Sequence, residues 1–394
     1  MPQLLNGMRR LPFILLILTA IAITIATFVE AVYGSSFVRE YFYGHWWFVG
    51  LWALLAVAST WYMVRVRLWK QRSVGLLHLS FLVILLGALV TFIWGRSGVV
   101  HVRLDEGVIT QTIDLPFGVS LQRFEIEYYE DSISPRDFIS ELRIARIVPE
   151  AASDSTDRMR LATYRCSMNR PATVDNYRFY QTSYDWDGRG SVLDVNYDPY
   201  GTGITYLGYL MLAISLIMLS GRRLVLLAPI GLLLAGITQV LYYNGVFNAP
   251  DTQLLPVLRS PLLGLHVSII IVAYVLFLVM TVRGIVGLTS HAKSEKYLPL
   301  NRKLLFSAVC CLTVGIFLGA VWANLSWGRY WGWDPKEAWA LVTLIIYALP
   351  LHHKSLAWFR SSRHFDVYMI LAILAVFMTF FGVNYVLGGM HSYA

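Results

Sequence analysis

Nine stretches of the chain are apolar almost throughout, and one long stretch among them alternates instead. The apolar runs cover about 11–33, 46–64, 75–95, 204–220, 224–243, 262–283, 304–322, 339–353 and 366–387. Roughly 20 apolar residues in a helix rising 1.5 Å per residue cross the hydrocarbon core of a bilayer, so the runs predict nine spanning helices. Residues 97–202 change period. Val100, Val102 and Leu104 alternate with His101 and Arg103, Phe124, Ile126 and Tyr128 with Glu125 and Glu127, and Leu193, Val195 and Tyr197 with Asp194 and Asn196. Period two predicts half-buried strands, with turns near Asp105-Glu106-Gly107 and Asp187-Gly188 and a mobile loop at "PEAASDSTDR", 149–158. The fold class expected is an α-helical polytopic membrane protein of about nine transmembrane helices, with one small β-rich extracytoplasmic domain inserted after the third.

Charge orients this map, because Lys and Arg are retained on the cytoplasmic side. With the N-terminus inside, the short inner loops hold sixteen Lys and Arg, and the short outer loops hold four: Arg39, Arg259, Arg329 and Lys336. The β insert and the C-terminal tail then lie outside, and the expected location is a bacterial cytoplasmic (inner) membrane. The net charge of +8 is mostly this bias, so it argues for no nucleic-acid partner. The first run follows Met8-Arg9-Arg10 as a secretory signal would. It continues through Thr27 and Phe28 and leaves at Glu30 without a small-x-small site, so it is expected to be retained.

Cysteine usage excludes several chemistries. Cys166 is alone in the insert, and Cys310 and Cys311 are adjacent inside a span. A thiol oxidoreductase needs two neighbouring cysteines, typically Cys-x-x-Cys, and the chain lacks Cys-x-x-Cys-His, so it is not itself a c-type cytochrome. Walker, Rossmann, zinc-protease and nucleophile-elbow motifs are also missing.

Four of the nine histidines fall at helix positions, where ionisable groups are functional suspects. His78 and His352 share a depth near the inner side, and His266 and His391 share one near the outer side. Taken singly, each is an ordinary interfacial or helix-packing residue. Taken in pairs, they are what two bis-imidazole haem sites require, one ligand from each face of the ring. The run "WGRYWGWDPKEAW", 327–339, adds Trp327, Trp331, Trp333 and Trp339. An interfacial aromatic belt explains one or two tryptophans, but not four interleaved with Gly328 and Gly332. Asp334 before Pro335 predicts a cap and first turn for the eighth helix. The loop then becomes an aromatic shelf for a flat apolar ligand, with Arg329 or Lys336 to meet a carboxylate.

At this run the chain resembles the tryptophan-rich WWD haem-handling proteins, in the form carried by the CcsA half of System II cytochrome c synthases. "PVLRSPLLGLHVSIIIVAYVLF", 256–277, and "GVNYVLGGMHSYA", 382–394, agree with that half. "ATFVEAVYGSSFVREYFYGHWWF", 26–48, and "MNRPATVDNYRFYQTSYDWDGRGSVLDVNYDP", 168–199, resemble the ResB (CcsB) half. The resemblance implies a natural fusion: a ResB-like membrane part at 1–96, the external domain at 97–202, a fourth helix at 203–223, and a CcsA-like domain at 224–394 with its WWD loop at 323–339.

It further implies haem b (iron protoporphyrin IX) held by His266 and His391 outside and by His78 and His352 within the membrane. Trp327, Trp331, Trp333 and Trp339 line haem, and Trp331, Trp333 and Asp334 sit at the attachment step. The implied activity is that of a haem lyase: haem transport, then thioether attachment to Cys-x-x-Cys-His of an apocytochrome c, with a thiol-reducing partner. The external domain is shorter than the family usually carries, and no further span follows "HSYA". The alternatives are a haem exporter serving a separate ligase and a respiratory b-type cytochrome. The last is disfavoured because the four histidines lie on four segments instead of in helix-sharing pairs.

Overall fold

The computed structural model describes residues 2–130, 132–147, 159–219 and 255–387. Long helices form where the apolar runs lie. They are α1 (Pro2–Tyr33), α3 (Trp46–Arg65), α4 (Arg72–Trp94), α5 (Gly201–Leu219), α6 (Pro261–Leu288), α7 (His291–Trp327) and α9 (Ser362–Phe377), which continues as a π-helix to Leu387. Between α1 and α3 lie a short α2 (Ser35–Val38) and a π-helical turn, Arg39–Tyr43. Seven helices among the described residues are long and apolar enough to cross a membrane. The predicted run 224–243 lies outside the described residues, as does the loop 149–158.

The eighth predicted span differs. α8 (Pro335–Ala348) has 14 residues, followed by a 3₁₀ turn at Leu349–His352. At 1.5 Å per residue the α-helix is about 21 Å long, short of a hydrocarbon core of about 30 Å. Its flanks explain how so short a helix persists. Leu344 and Tyr347 pack into a core with α6, α7 and α9, where Tyr347 stacks on Phe277 at 3.6 Å. Ala338, Trp339 and Val342 pack into a second core with Ile23 and Ala26 of α1 and Phe48 of α3. Protein covers the helix on both sides, which is the condition for tolerating short or broken helices at membrane depth.

The seventh predicted span differs in the other sense. α7 runs for 37 residues, about 55 Å, because "HAKSEKYLPLNRKLL" continues the helix where its polarity predicted a loop. Its Ala, Lys, Glu and Leu are strong helix formers. The described helices run back and forth between two ends, with α5 and α6 in the same sense. The turns at 66–71, 289–290 and 353–361 therefore gather at one basic end, and the β domain, residues 255–260 and the 328–334 loop gather at the other.

The insert forms a five-stranded sheet, order β2-β1-β8-β7-β6, and a three-stranded sheet, order β3-β4-β5. These comprise β1 (Arg96–Arg103), β2 (Gly107–Gln111), β3 (Gly118–Tyr128), β4 (Pro135–Ile147), β5 (Met159–Ser167), β6 (Ala172–Val174), β7 (Tyr177–Tyr184) and β8 (Gly190–Tyr197). Val100, Val102, Leu193 and Val195 are buried between the sheets with Leu142, Ile144 and Phe179, the face that alternation assigned to them. Asp105 and Gly107 adopt positive φ in the β1–β2 turn and Gly188 does so in the β7–β8 turn, as left-handed turn positions favour.

Polar side chains fasten this domain to the helices. Asp198 accepts from the Gly201 N–H at 2.8 Å, from Thr202 at 2.9 Å and from Thr91 of α4 at 2.7 Å, tying the start of α5 to the end of α4. The Asn169 amide donates to the carbonyls of Pro256 and Val257, both at 3.2 Å. Arg178 donates to Asn324 of α7 at 3.0 Å.

Candidate functional site

Two of the four singled-out histidines meet at the basic end. His78 stands in the second turn of α4 and His352 closes the 3₁₀ turn after α8. Their ring centres are 6.0 Å apart with planes at 86°. Each ring engages the carbonyl four residues earlier through Nδ1, His78 with Val74 at 2.8 Å and His352 with Ala348 at 3.0 Å. A carbonyl only accepts, so in the neutral rings Nδ1 carries the proton and Nε2 carries the lone pair. This is the outer-shell arrangement that fixes a ligating imidazole. Two imidazoles bonded at about 2 Å to one metal ion place their ring centres roughly 6 Å apart, so the separation suits axial ligation from opposite faces of a porphyrin. Phe13 of α1 packs edge-on against His352 at 5.3 Å. Among the described residues no group of three or more His, Cys, Asp or Glu gathers as a metal cage, and a porphyrin, which brings its own four nitrogens, needs none.

At the opposite end, His266 of α6 turns its Nδ1 to the Gly315 carbonyl of α7 at 2.6 Å. One turn further along α7, a Cβ on Gly319 would stand 2.7 Å from two atoms of the imidazole. Gly319 forms a notch that takes the ring while Gly315 makes room for Ile270 one turn on along α6, and the Nδ1 contact again directs the Nε2 lone pair away from the carbonyl. His391 lies outside the described residues.

The tryptophan loop is built between two helix ends. Gly328 closes α7 with φ of 76°, its N–H bonded to Asn324 O at 3.1 Å. A Cβ there would also strike Tyr180 and Asn196 of the β domain, and the Asn196 amide donates to the Gly328 carbonyl. Asp334 caps α8 by accepting from the Lys336 N–H at 2.9 Å, with Pro335 in the first turn as the sequence predicts. Glu337 reaches back past the cap to accept from the Gly332 N–H at 2.7 Å, which ties the loop to the first turn of α8. Trp333, between them, is held in the left-handed region at φ 57°, strain that surrounding contacts must maintain.

Two of those contacts come from the first half of the chain. Trp333 stacks on Tyr43 at 4.7 Å and 10°, meets Phe48 at 5.0 Å, and takes Trp331 edge-on at 5.8 Å. Trp327 packs on Trp322 at 4.8 Å. Trp339 is buried in the helix core, its indole N–H donating to Thr27 of α1 at 3.1 Å, so it braces the start of α8 from behind. The expected shelf is thus narrower than four tryptophans, and Tyr43 and Phe48 extend it. Of the two cations, Lys336 donates to Asn384 at 3.0 Å. Arg329 is half-buried, and burial, reinforced by Arg39, lowers its pKa while Glu337 and Asp194 oppose the shift. Tyr206 and Tyr209 of α5 pack edge-on against Tyr330 at 5.4 and 5.9 Å.

Comparison with known proteins matches residues 67–196 to the ResB-like family and residues 202–391 to the cytochrome C assembly protein family. The chain thus carries a ResB-like segment followed by a cytochrome c assembly segment, the order of a ResB–CcsA fusion. Protein NrfI of Wolinella succinogenes is 38% identical over 178 residues, covering 41% of this chain and 19% of that protein. The cytochrome c biogenesis protein CcsA of Chlamydomonas reinhardtii is 32% identical over 180 residues, 42% of this chain and 51% of the relative. CcsA of Synechococcus sp. (strain WH7803) is 33% identical over 198 residues, 37% and 61% respectively. The chain thus spans between about a fifth and three fifths of these relatives. Within the fusion, His78 and Asn196 belong to the ResB-like region, whereas His266, His352 and the loop belong to the assembly region. The inner histidine pair and the contacts of the loop with Asn196 therefore cross the boundary between the two families.

Proposed function

We propose that this fusion acts in cytochrome c biogenesis, carrying haem b across the membrane and joining it to the Cys-x-x-Cys-His motif of an apocytochrome c. The observation that carries the reading is the His78–His352 pair at 6.0 Å, with both Nδ1 atoms committed to carbonyls. In this reading haem is the substrate. His78 and His352 fill both axial positions at the inner site, and His266 with His391 does so outside. Trp331 and Trp333, backed by Tyr43, offer ring faces to a planar ligand, while Arg329 or Lys336 meets its carboxylates.

Haem supplies two vinyl groups and the apocytochrome supplies two thiols. Each thioether forms as sulfur bonds to a vinyl carbon and its proton passes to the neighbouring carbon, so the addition consumes no oxidant. The chain contributes no nucleophile. Its residues hold a vinyl edge against incoming thiols, which makes the encounter effectively intramolecular, and Asp334 fixes the loop that does so. An apocytochrome, a reductant for its thiols and an extracytoplasmic attachment site at a bacterial inner membrane complete the proposal.

The test is expression of the chain with an apocytochrome in a host stripped of its own maturation genes. Covalently haem-stained cytochrome is expected, falling at least roughly tenfold for His352→Ala, with a changed Soret spectrum in the purified membrane protein. Haem in the purified protein without stained cytochrome would replace the ligase reading with that of an exporter. A colourless protein would defeat both.

A further inference from the structure

At the basic end, beside the 353–361 turn that follows His352, a cleft of about 350 Å³ opens between the first turns of α7 and the start of α9. Arg302 and Arg360 line it, with His291, Glu295, Ser361 and Ser362. The two guanidiniums are pinned by the backbone around the cleft. Arg302 Nη2 donates to Phe359 O at 3.1 Å, and Arg360 donates to His353 O at 3.2 Å and Lys354 O at 2.7 Å. Arg302 Nε is shielded and meets no acceptor, so an anion in the cleft would meet the outer face of the guanidinium and offset the cost of that buried donor. Ser361, which caps the 16-residue α9, and Ser362 line the cleft, so the start of the helix borders it, where the helix dipole favours negative charge. The one acid in the wall, Glu295, is exposed and drawn to His291 at 3.6 Å. Leu298 and Pro299 supply an apolar side.

We propose that this cleft is a seat for the oxyanion of an amphiphile, a phosphate or carboxylate group held by Arg302, Arg360 and the start of α9, with the apolar body against Leu298 and Pro299. Two sources carry that chemistry. One is the phosphate of an anionic lipid, which basic pockets between membrane helices bind. The other is a porphyrin carboxylate, which would wait beside the turn that carries His352; this source rests on the function proposed above, and the lipid source does not.

Three variants test the seat. Arg302→Gln removes a guanidinium. Ser361→Asp keeps the cap on α9 but sets a carboxylate into the cleft, so it reports on anion binding even if Arg302→Gln disturbs the fold. Glu295→Gln removes the opposing charge. The delipidated protein is titrated with phosphatidylglycerol and, separately, phosphatidylcholine, with bound lipid counted by native mass spectrometry, and its haem content is measured by absorbance.

If the seat takes lipid, phosphatidylglycerol is retained over phosphatidylcholine. Its retention weakens roughly tenfold in Arg302→Gln and Ser361→Asp, as loss of a charge-assisted hydrogen bond implies, and strengthens in Glu295→Gln. If it takes porphyrin carboxylate, lipid retention is the same in all proteins and haem content falls in the first two variants. Unchanged lipid retention together with unchanged haem content overturns the seat. A wild-type protein without porphyrin would defeat the proposed function and leave the lipid titration to decide the cleft alone.

Discussion

Gly319 illustrates how much a single missing methyl group can hold in place. The His266 ring occupies the space a Cβ would take, and its Nδ1 reaches Gly315 one turn earlier. Gly319→Ala therefore cannot be accommodated without moving the imidazole, because the atoms in the way belong to the ring itself. Overpacking of this kind costs about 1–3 kcal/mol. The expected result is a variant that folds with a lowered melting temperature, keeps the absorption contributed by the His78–His352 site, and loses the contribution of His266. A spectrum identical to that of the wild type would show that the ring's position in the notch is irrelevant to ligand binding.

The tryptophan loop is an assembly of helix ends, and its rigidity has a separable source. Asp334 satisfies an orphan N–H of α8, and the adjacent Trp333 sits at positive φ, a conformation costing of order 1–3 kcal/mol. Asp334→Ala should destabilise the protein by about 1 kcal/mol and release Trp333 from its stack on Tyr43. Tryptophan fluorescence should shift, and cytochrome attachment should fall more than haem content. Asp334→Asn, which still caps, should restore most of the melting temperature. Equal behaviour of the two variants would separate the cap from the function.

Legibility also divides by element. The strands were readable because one face of each is buried, which forces period two, and the cap at Asp334 was readable because Asp-Pro admits few geometries. The inner histidines were readable by depth alone. The helical start of α7 was not, since hydropathy scores Lys, Glu and Asn as loop while helix propensity does not. Nor was the stack of Trp333 on Tyr43, a contact between residues 290 positions apart that no local pattern encodes. The only trace of it was the aromatic run at 42–48.

On the scale of the whole molecule, the chain behaves as one body whose two family segments interlock. The ResB-like strands bond the C-terminal end of α7, and α8, from the assembly region, is packed against α1 and α3, which precede the ResB-like match, through Trp339, Thr27 and Phe48. The helix directions fix which loops share an end, and the bias of sixteen basic residues to four then chooses the side. This choice can be tested with single cysteines and a membrane-impermeant maleimide on intact spheroplasts. Trp186, at the β7–β8 turn, is 96% exposed, and Lys354 is exposed at the basic end. Trp186→Cys should label from outside, and Lys354→Cys only after the membrane is opened.

The native thiols should add little to that signal. Cys166 is buried in the β core, and burial pushes its pKa up to about 11. Only about one thiol in a thousand is then ionised at pH 8, and the thiolate is the reactive form. The reverse labelling pattern would put the tryptophan loop and the β domain inside the cell. That is the wrong side for an attachment site, because an apocytochrome exported before it receives haem could not reach it.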